Sequence, residues 1–183
     1  GGSGLTTAGG ATRVEWIMKQ KPRILVVELG ANDGLRGIAA DSVEKNLTRI
    51  VDGATKAEVP VLLLGVRLPP NYGPEYIEAF ESVYTRLGAR EGVEFVPFFM
   101  KGVAGVPDLN LEDGIHPTAR GHEILADNVG PALEKMLAAL ADARPEDPAV
   151  RVAQARTAAA KGDTAEAIES LARAIEVIPD EPL

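Results

Sequence analysis

Apolar residues fall into a repeating alternation of continuous runs and helical stripes. Val14, Ile17 and Met18 share one side of a helix predicted over Thr12–Gln20, which Lys21-Pro22 then ends. The run Ile24–Leu29 has no polar alternation and predicts a parallel strand covered on both faces. Asp41 or Ser42 can cap the next helix, whose Val43, Leu47, Ile50, Val51 and Ala54 repeat at the spacing of one buried stripe. Val61–Val66 predicts a second buried strand. Tyr76, Phe80, Val83, Tyr84 and Leu87 predict the inner face of another helix. Val93–Phe99 reads as a third strand, despite Pro97. After an irregular stretch, Lys101–Pro117, a long amphipathic helix carries Ile124, Leu125, Val129, Leu133, Met136, Leu137 and Leu140.

Buried strands alternating with helices predict an α/β sandwich around a parallel sheet with right-handed crossovers. Ligands of such sheets sit beyond the carboxyl ends of the strands. Here those ends are the loops Gly30–Gly37, Arg67–Gly73 and Met100–Pro117. A charged, Pro-containing stretch, Ala141–Pro148, reads as a boundary. It divides a main domain, residues 1–143, from a helical hairpin, residues 149–183. The hairpin's segments are Ala149–Lys161 and Thr164–Val177, turning at Gly162-Asp163, with Ile168, Leu171, Ile175 and Ile178 on one face. Ala167, Leu171, Ala174 and Pro179 also have the spacing of the second helix of a tetratricopeptide repeat, with Arg151 where the first helix commonly has an aromatic. A generic hairpin and a single repeat both remain open, and either must dock or extend to bury its face.

The composition narrows the chemistry. The 183 residues carry a net charge of −8, which argues against a nucleic-acid phosphate track or an anionic membrane surface. No apolar run approaches the ~20 residues needed to span a bilayer, so stable membrane insertion is not expected. Without cysteine there is no disulfide, thiolate nucleophile or Cys-ligated metal, and two histidines, His116 and His122, leave little for a metal site. The compartment stays open. The chain starts Gly1-Gly2-Ser3-Gly4, without Met or a signal segment; this is either an engineered linker or the middle of a domain.

Two strings can carry chemistry. In Glu28-Leu29-Gly30-Ala31-Asn32-Asp33-Gly34, Gly30 permits a sharp turn that aims the Asn32 amide at the ligand side, where a fixed neutral donor stabilises an oxyanion. An ordinary Asn-Asp-Gly turn has the same letters. In Asp113-Gly114-Ile115-His116-Pro117, the carboxylate can bond imidazole Nδ1–H and leave Nε2 as a base. A helix-capping Asp beside a surface His is the alternative. His122 reads as structural.

Together these strings resemble the SGNH (GDSL-type) serine hydrolases, in the bacterial thioesterase/arylesterase/lysophospholipase branch. Val27–Gly37, Arg67–Gly73, Val96–Met100 and Asp113–Pro117 fall in family order, and the resemblance extends from Gly4 to about Leu140. It implies a three-layer α/β/α flavodoxin-like sandwich whose first strand and helix are not in this chain. It further implies Asp113 orienting His116, the general base, and an oxyanion hole from the Gly4 amide and Asn32. Gly34, Leu35, Arg67, Pro69 and Tyr72 would border an acyl pocket for medium or long apolar chains. The implied substrate is a small-molecule acyl ester or thioester, with no metal or organic cofactor. A carbohydrate acetylesterase of the same superfamily is a second implication. A non-catalytic module whose C-terminal helices bind a protein partner is a third reading.

The family's Gly-Asp-Ser-Leu nucleophile string does not occur, and the serines at 3, 42, 82 and 170 do not match it. The expectation is an inactive fragment with an open strand edge. Relatives are often exported to the periplasm, and any signal segment would lie upstream.

Overall fold

A computed structural model describes residues 4–163 and 167–170. The chain divides into two compact units, Gly1–Val129 and Gly130–Leu183. The first is built on a three-stranded parallel sheet in the order β1-β2-β3: β1 (Leu25–Val27), β2 (Val61–Leu64) and β3 (Val93–Val96). Leu25 pairs with Val61, and Val61 in turn with Val93. Helices flank this sheet, as strand–helix alternation requires: α1 (Thr7–Ala11), α2 (Val14–Lys19), α3 (Ala31–Leu35), α4 (Ala40–Lys56) and α5 (Pro74–Gly88).

The buried residues follow the apolar pattern closely at the centre. All four residues of β2 are buried. On α4 the buried set is Val43, Leu47, Ile50, Val51 and Ala54, the predicted stripe. On α5 it is Phe80, Val83, Tyr84 and Leu87, with Tyr76 half-exposed.

Several boundaries differ from the sequence reading. Within the predicted Thr12–Gln20 span the helix is α2, Val14–Lys19, and a separate short helix that the pattern does not predict, α1, precedes it from Thr7, with the Thr6 hydroxyl accepting from Gly9 N–H. Helix α4 begins at Ala40, with Ala39 as its N-cap and no capping side chain, so Asp41 sits in the first turn rather than capping. Strand β1 is shorter than its apolar run and pairs only with β2 among the described residues. Val26 is accordingly 46% exposed rather than covered. Pro97 lies just past β3. Beyond β2 the pairing continues through Gly65, whose N–H donates to Val96 O and whose O accepts from Phe99 N–H, so no bond is asked of Pro97.

Helix α5 also fixes the turn that follows β1. Its aromatic residues Tyr76, Phe80 and Tyr84 continue the line of Tyr72, with successive ring centroids 6.3, 5.9 and 5.6 Å apart. Three hydroxyls on this line donate to the α3 region: Tyr84 to Leu29 O (2.8 Å), Tyr76 to Ile38 O (2.7 Å) and Tyr72 to Leu35 O (3.0 Å). Gly30 takes φ +116 directly over Tyr84, where a Cβ would collide with the hydroxyl. Burial, with the Asp33 charge as a smaller cause, drives the Tyr84 phenol well above its ordinary range, so it stays a donor.

In the second unit, α6 (Ala119–Ala143), which begins in the first unit, continues to α7 (Pro148–Ala160). Pro131 removes one rung of the α6 ladder. The Asp147 side chain caps α7 by accepting from Ala149 N–H, and Arg151 donates to Ala141 O. Residues 167–170 are helical; Ala167 and Ser170 are buried there while Ile168 is 62% exposed. The remaining residues of the predicted repeat face, Leu171 to Pro179, lie outside the described residues. Among the described residues, no helix is long and apolar enough to cross a membrane.

Tyr84→Phe, which strips one hydroxyl and leaves Leu29 O without that donor, is expected to cost about 1–2 kcal/mol in urea unfolding. Gly30→Ala combines backbone strain with the collision and is expected to cost more, about 3 kcal/mol or above. Equal midpoints for the two variants would refute the close packing of α5 on this turn.

Candidate active site

The parallel topology gathers three loops at the carboxyl ends of adjacent strands: Asn32 after β1, Arg67–Gly73 after β2, and the loop leading to Asp113–His116 after β3. Each is held differently.

The Asp113–His116 turn is built locally. Asp113 Oδ1 accepts from Ile115 N–H (2.9 Å) and His116 N–H (3.0 Å), while Oδ2 lies 2.7 Å from His116 Nδ1. A carboxylate only accepts, so Nδ1 carries the proton and Nε2 of the neutral ring is left as a base. Gly114 takes φ +68 at the turn, and its N–H returns to Leu111 O. Leu111 N–H closes the base of the turn by donating to His116 O at 2.7 Å. The His116 side chain is 71% exposed.

Deeper anchors tie this turn to the fold. Buried Asn110 donates through Nδ2 to Val103 O (2.7 Å) and Val106 O (2.8 Å), and it bridges to Pro117. Thr118 Oγ1 accepts from Gly121 N–H at the start of α6. Gly121 packs so closely on Leu109 O that a Cβ there would collide. Further along, Asn128 donates to Phe99 O and Lys101 O. His122 lies outside the turn, in the first turns of α6, with Nδ1 at 3.0 Å from the O of Thr118, the residue just before that helix.

Around Asn32 the bonds are long-range. Asn32 Nδ2 donates to Leu5 O (3.1 Å) and Arg36 Nη2 to Gly4 O (3.4 Å), so Gly4 and Asn32 share one small region. Nδ2 has a second hydrogen to offer a ligand. Asp33, to which the sequence pattern assigns no separate role, is fully buried, and Thr7 donates to it twice. Such pairing across the chain leaves no periodic trace in the sequence.

The residues expected to border an acyl pocket divide. Gly34 packs against Leu68, and Tyr72 reaches Leu35 O, so the loops after β1 and β2 are joined. Leu35 and Pro69 are exposed. The Arg67 guanidinium lies 5.3 Å from the Phe98 ring centroid and 3.9 Å from Glu81. Among the described residues, no cluster of three His, Cys, Asp or Glu side chains suits a metal ion.

The Asp113 carboxyl is held at about 2, below its ordinary 3.8, first by the His116 backbone N–H, then by the His116 ring and the Ile115 N–H. A depressed carboxyl contributes stability above its unfolded value, and that contribution is lost as pH falls through about 2. Carbon NMR of the Asp113 carboxyl is expected to show a midpoint near 2. His116→Ala should raise it only part of the way, because both backbone donors remain. A midpoint at the ordinary value in the unmodified chain would contradict the turn geometry.

Comparison with known proteins gives this geometry its context. The model of the GDSL-like Lipase/Acylhydrolase family matches residues 1–124. Esterase TesA of Pseudomonas aeruginosa is 46% identical over 136 residues, 74% of this chain and 68% of that protein. Thioesterase 1/protease 1/lysophospholipase L1 of Escherichia coli is 38% identical over 136 residues, 74% of this chain and 65% of the relative. The chain therefore spans about two thirds of these relatives. A crystal structure of TesA matches with a TM-score of 0.70 at 46% identity, over 73% of this chain and 75% of that one. With family model, sequence relatives and fold in agreement, the chain belongs to the GDSL-like lipase/acylhydrolase family.

Proposed function

We propose that this chain supplies the acid–base pair and the oxyanion donors of an enzyme hydrolysing acyl esters or thioesters, with the serine nucleophile coming from outside residues 1–183. The observation that carries this reading is the 2.7 Å contact between Asp113 Oδ2 and His116 Nδ1, which fixes the ring and leaves Nε2 open at the rim of the sheet.

Each serine in the described residues has another setting. Ser42 is exposed in the first turns of α4, Ser82 donates to Ala79 O on α5, and Ser170 is buried in the second unit. Strand β1 supports the reading from the other direction. Its outer edge pairs with no strand among the described residues. A parallel strand added there would end at the rim that holds Gly30 and Asn32.

In the proposed reaction, serine Oγ attacks the acyl carbonyl while His116 Nε2 takes its proton. Asp113 stabilises the resulting imidazolium. The carbonyl oxygen becomes an oxyanion held by the Gly4 amide and the Asn32 carboxamide. His116 then hands its proton to the departing alkoxide or thiolate. Water, deprotonated by the same Nε2, releases the acyl group as a carboxylate and restores the serine.

p-Nitrophenyl ester assays test this. The 183-residue chain is expected to show no His116-dependent turnover. The longer protein bearing the serine is expected to turn over, losing roughly 10²–10⁴-fold in kcat on His116→Ala and roughly 10²–10³-fold on Asn32→Ala. Robust, His116-dependent turnover by residues 1–183 would place the nucleophile within this chain and overturn the reading.

A further inference from the structure

Two donors can serve one oxyanion only if their separation is fixed to within about half an ångström. Gly4 and Asn32 come from distant parts of the chain, and the direct ties between their segments are modest. Asn32 reaches Leu5 O at 3.1 Å in a half-buried position, and Arg36 reaches Gly4 O at 3.4 Å at the surface.

A stronger connection lies beneath them. Asp33 is 0% exposed, and its two oxygens each accept from Thr7: Oδ2 from the backbone N–H at 2.8 Å, Oδ1 from the hydroxyl at 2.6 Å. Thr7 is equally buried. Its hydroxyl oxygen in turn accepts from Asn46 Nδ2 of α4 at 3.1 Å.

We propose that Asp33, Thr7 and Asn46 form a buried clasp that sets the spacing of the Gly4 amide and the Asn32 carboxamide, with Asp33 and Thr7 as its positioning residues. The clasp's catalytic meaning rests on the oxyanion role proposed above for Gly4 and Asn32. One donor to Asp33 is main chain, so the clasp holds the Gly4–Thr7 backbone itself rather than a side-chain rotamer. Asp33 is also the direct neighbour of Asn32, so the same carboxylate holds the other half of the pair.

The donor count explains why these residue types are needed. The Thr7 hydroxyl gives its single hydrogen to Asp33 and accepts from Asn46. An amide at position 33 would have one acceptor oxygen for two donors, leaving one donor buried and unmatched.

The test is ¹⁵N NMR and amide hydrogen exchange on the full chain. Thr7→Val keeps the shape and removes the hydroxyl. It is expected to displace the Asn32 side-chain amide signals and to speed exchange of the position-7 backbone amide by roughly tenfold. Signals of the Asp113–His116 turn should stay in place. Thr7→Ser, which keeps the hydroxyl, is expected to restore the unmodified spectrum. Should Thr7→Val fail to fold, Asn46→Ala, which removes one half-exposed donor, is expected to produce the same displacement at smaller size. Unmoved Asn32 side-chain signals in a folded Thr7→Val or Asn46→Ala protein overturn the clasp, as does a Thr7→Ser protein that fails to restore them. These readouts need no hydrolysis. A clasp that passes while Asn32→Ala leaves turnover of the longer protein unchanged would refute the oxyanion assignment alone.

Discussion

A carboxylate buried out of reach of water is tolerated only when donors replace its hydration, and Asp33 meets that condition through one residue, Thr7. Much of the first unit's organisation around the Asn32 turn depends on this match. Helix α1 starts at Thr7, and Asn46 brings α4 into the same network. Helix α3 is five residues long, too short to persist by its own hydrogen bonds. It is held from one side by Thr7 and from the other by the tyrosine hydroxyls that reach Leu29, Leu35 and Ile38. Asn32, the proposed oxyanion donor, is therefore placed by neighbours from other parts of the fold.

The Asp113–His116 turn follows the opposite logic. Asp113 and His116 are three residues apart, and their turn is closed by its own backbone amides. Exposure does not loosen it in the same way, because the donors that fix the carboxylate are covalent neighbours. What the fold adds is attachment: Asn110 ties the loop ahead of the turn, and Gly121 lets α6 press against Leu109 O. One half of the site is a local motif mounted on a scaffold; the other half is the scaffold. Mutations in the two halves should accordingly differ, with those near Asn32 spreading through α1, α4 and α5.

The strings legible in the chain are those whose residues lie within a few positions of one another: the Gly30–Gly34 turn and Asp113–His116. The aromatic line on α5 was visible as a buried stripe, since Phe80, Val83, Tyr84 and Leu87 recur at helical spacing. Its second use, as a row of hydroxyl donors, was not. A periodic pattern reports which face is covered, not which atom of a neighbouring loop the face meets.

By itself the sequence determined the alternation of strands and helices, the inward faces of α4 and α5, and the local geometry that lets Asp113 hold His116. Each of these follows from residues within a helical turn of one another, where backbone geometry alone sets the distances. Only the tertiary structure decided that Val26 lies open on an edge strand, that Arg67 turns to Phe98 and Glu81, and that Asp33 rather than Asn32 is the buried member of its turn. Those outcomes depend on which distant segments become neighbours, and a contact between Thr7 and Asp33 leaves no spacing rule in the chain that would announce it.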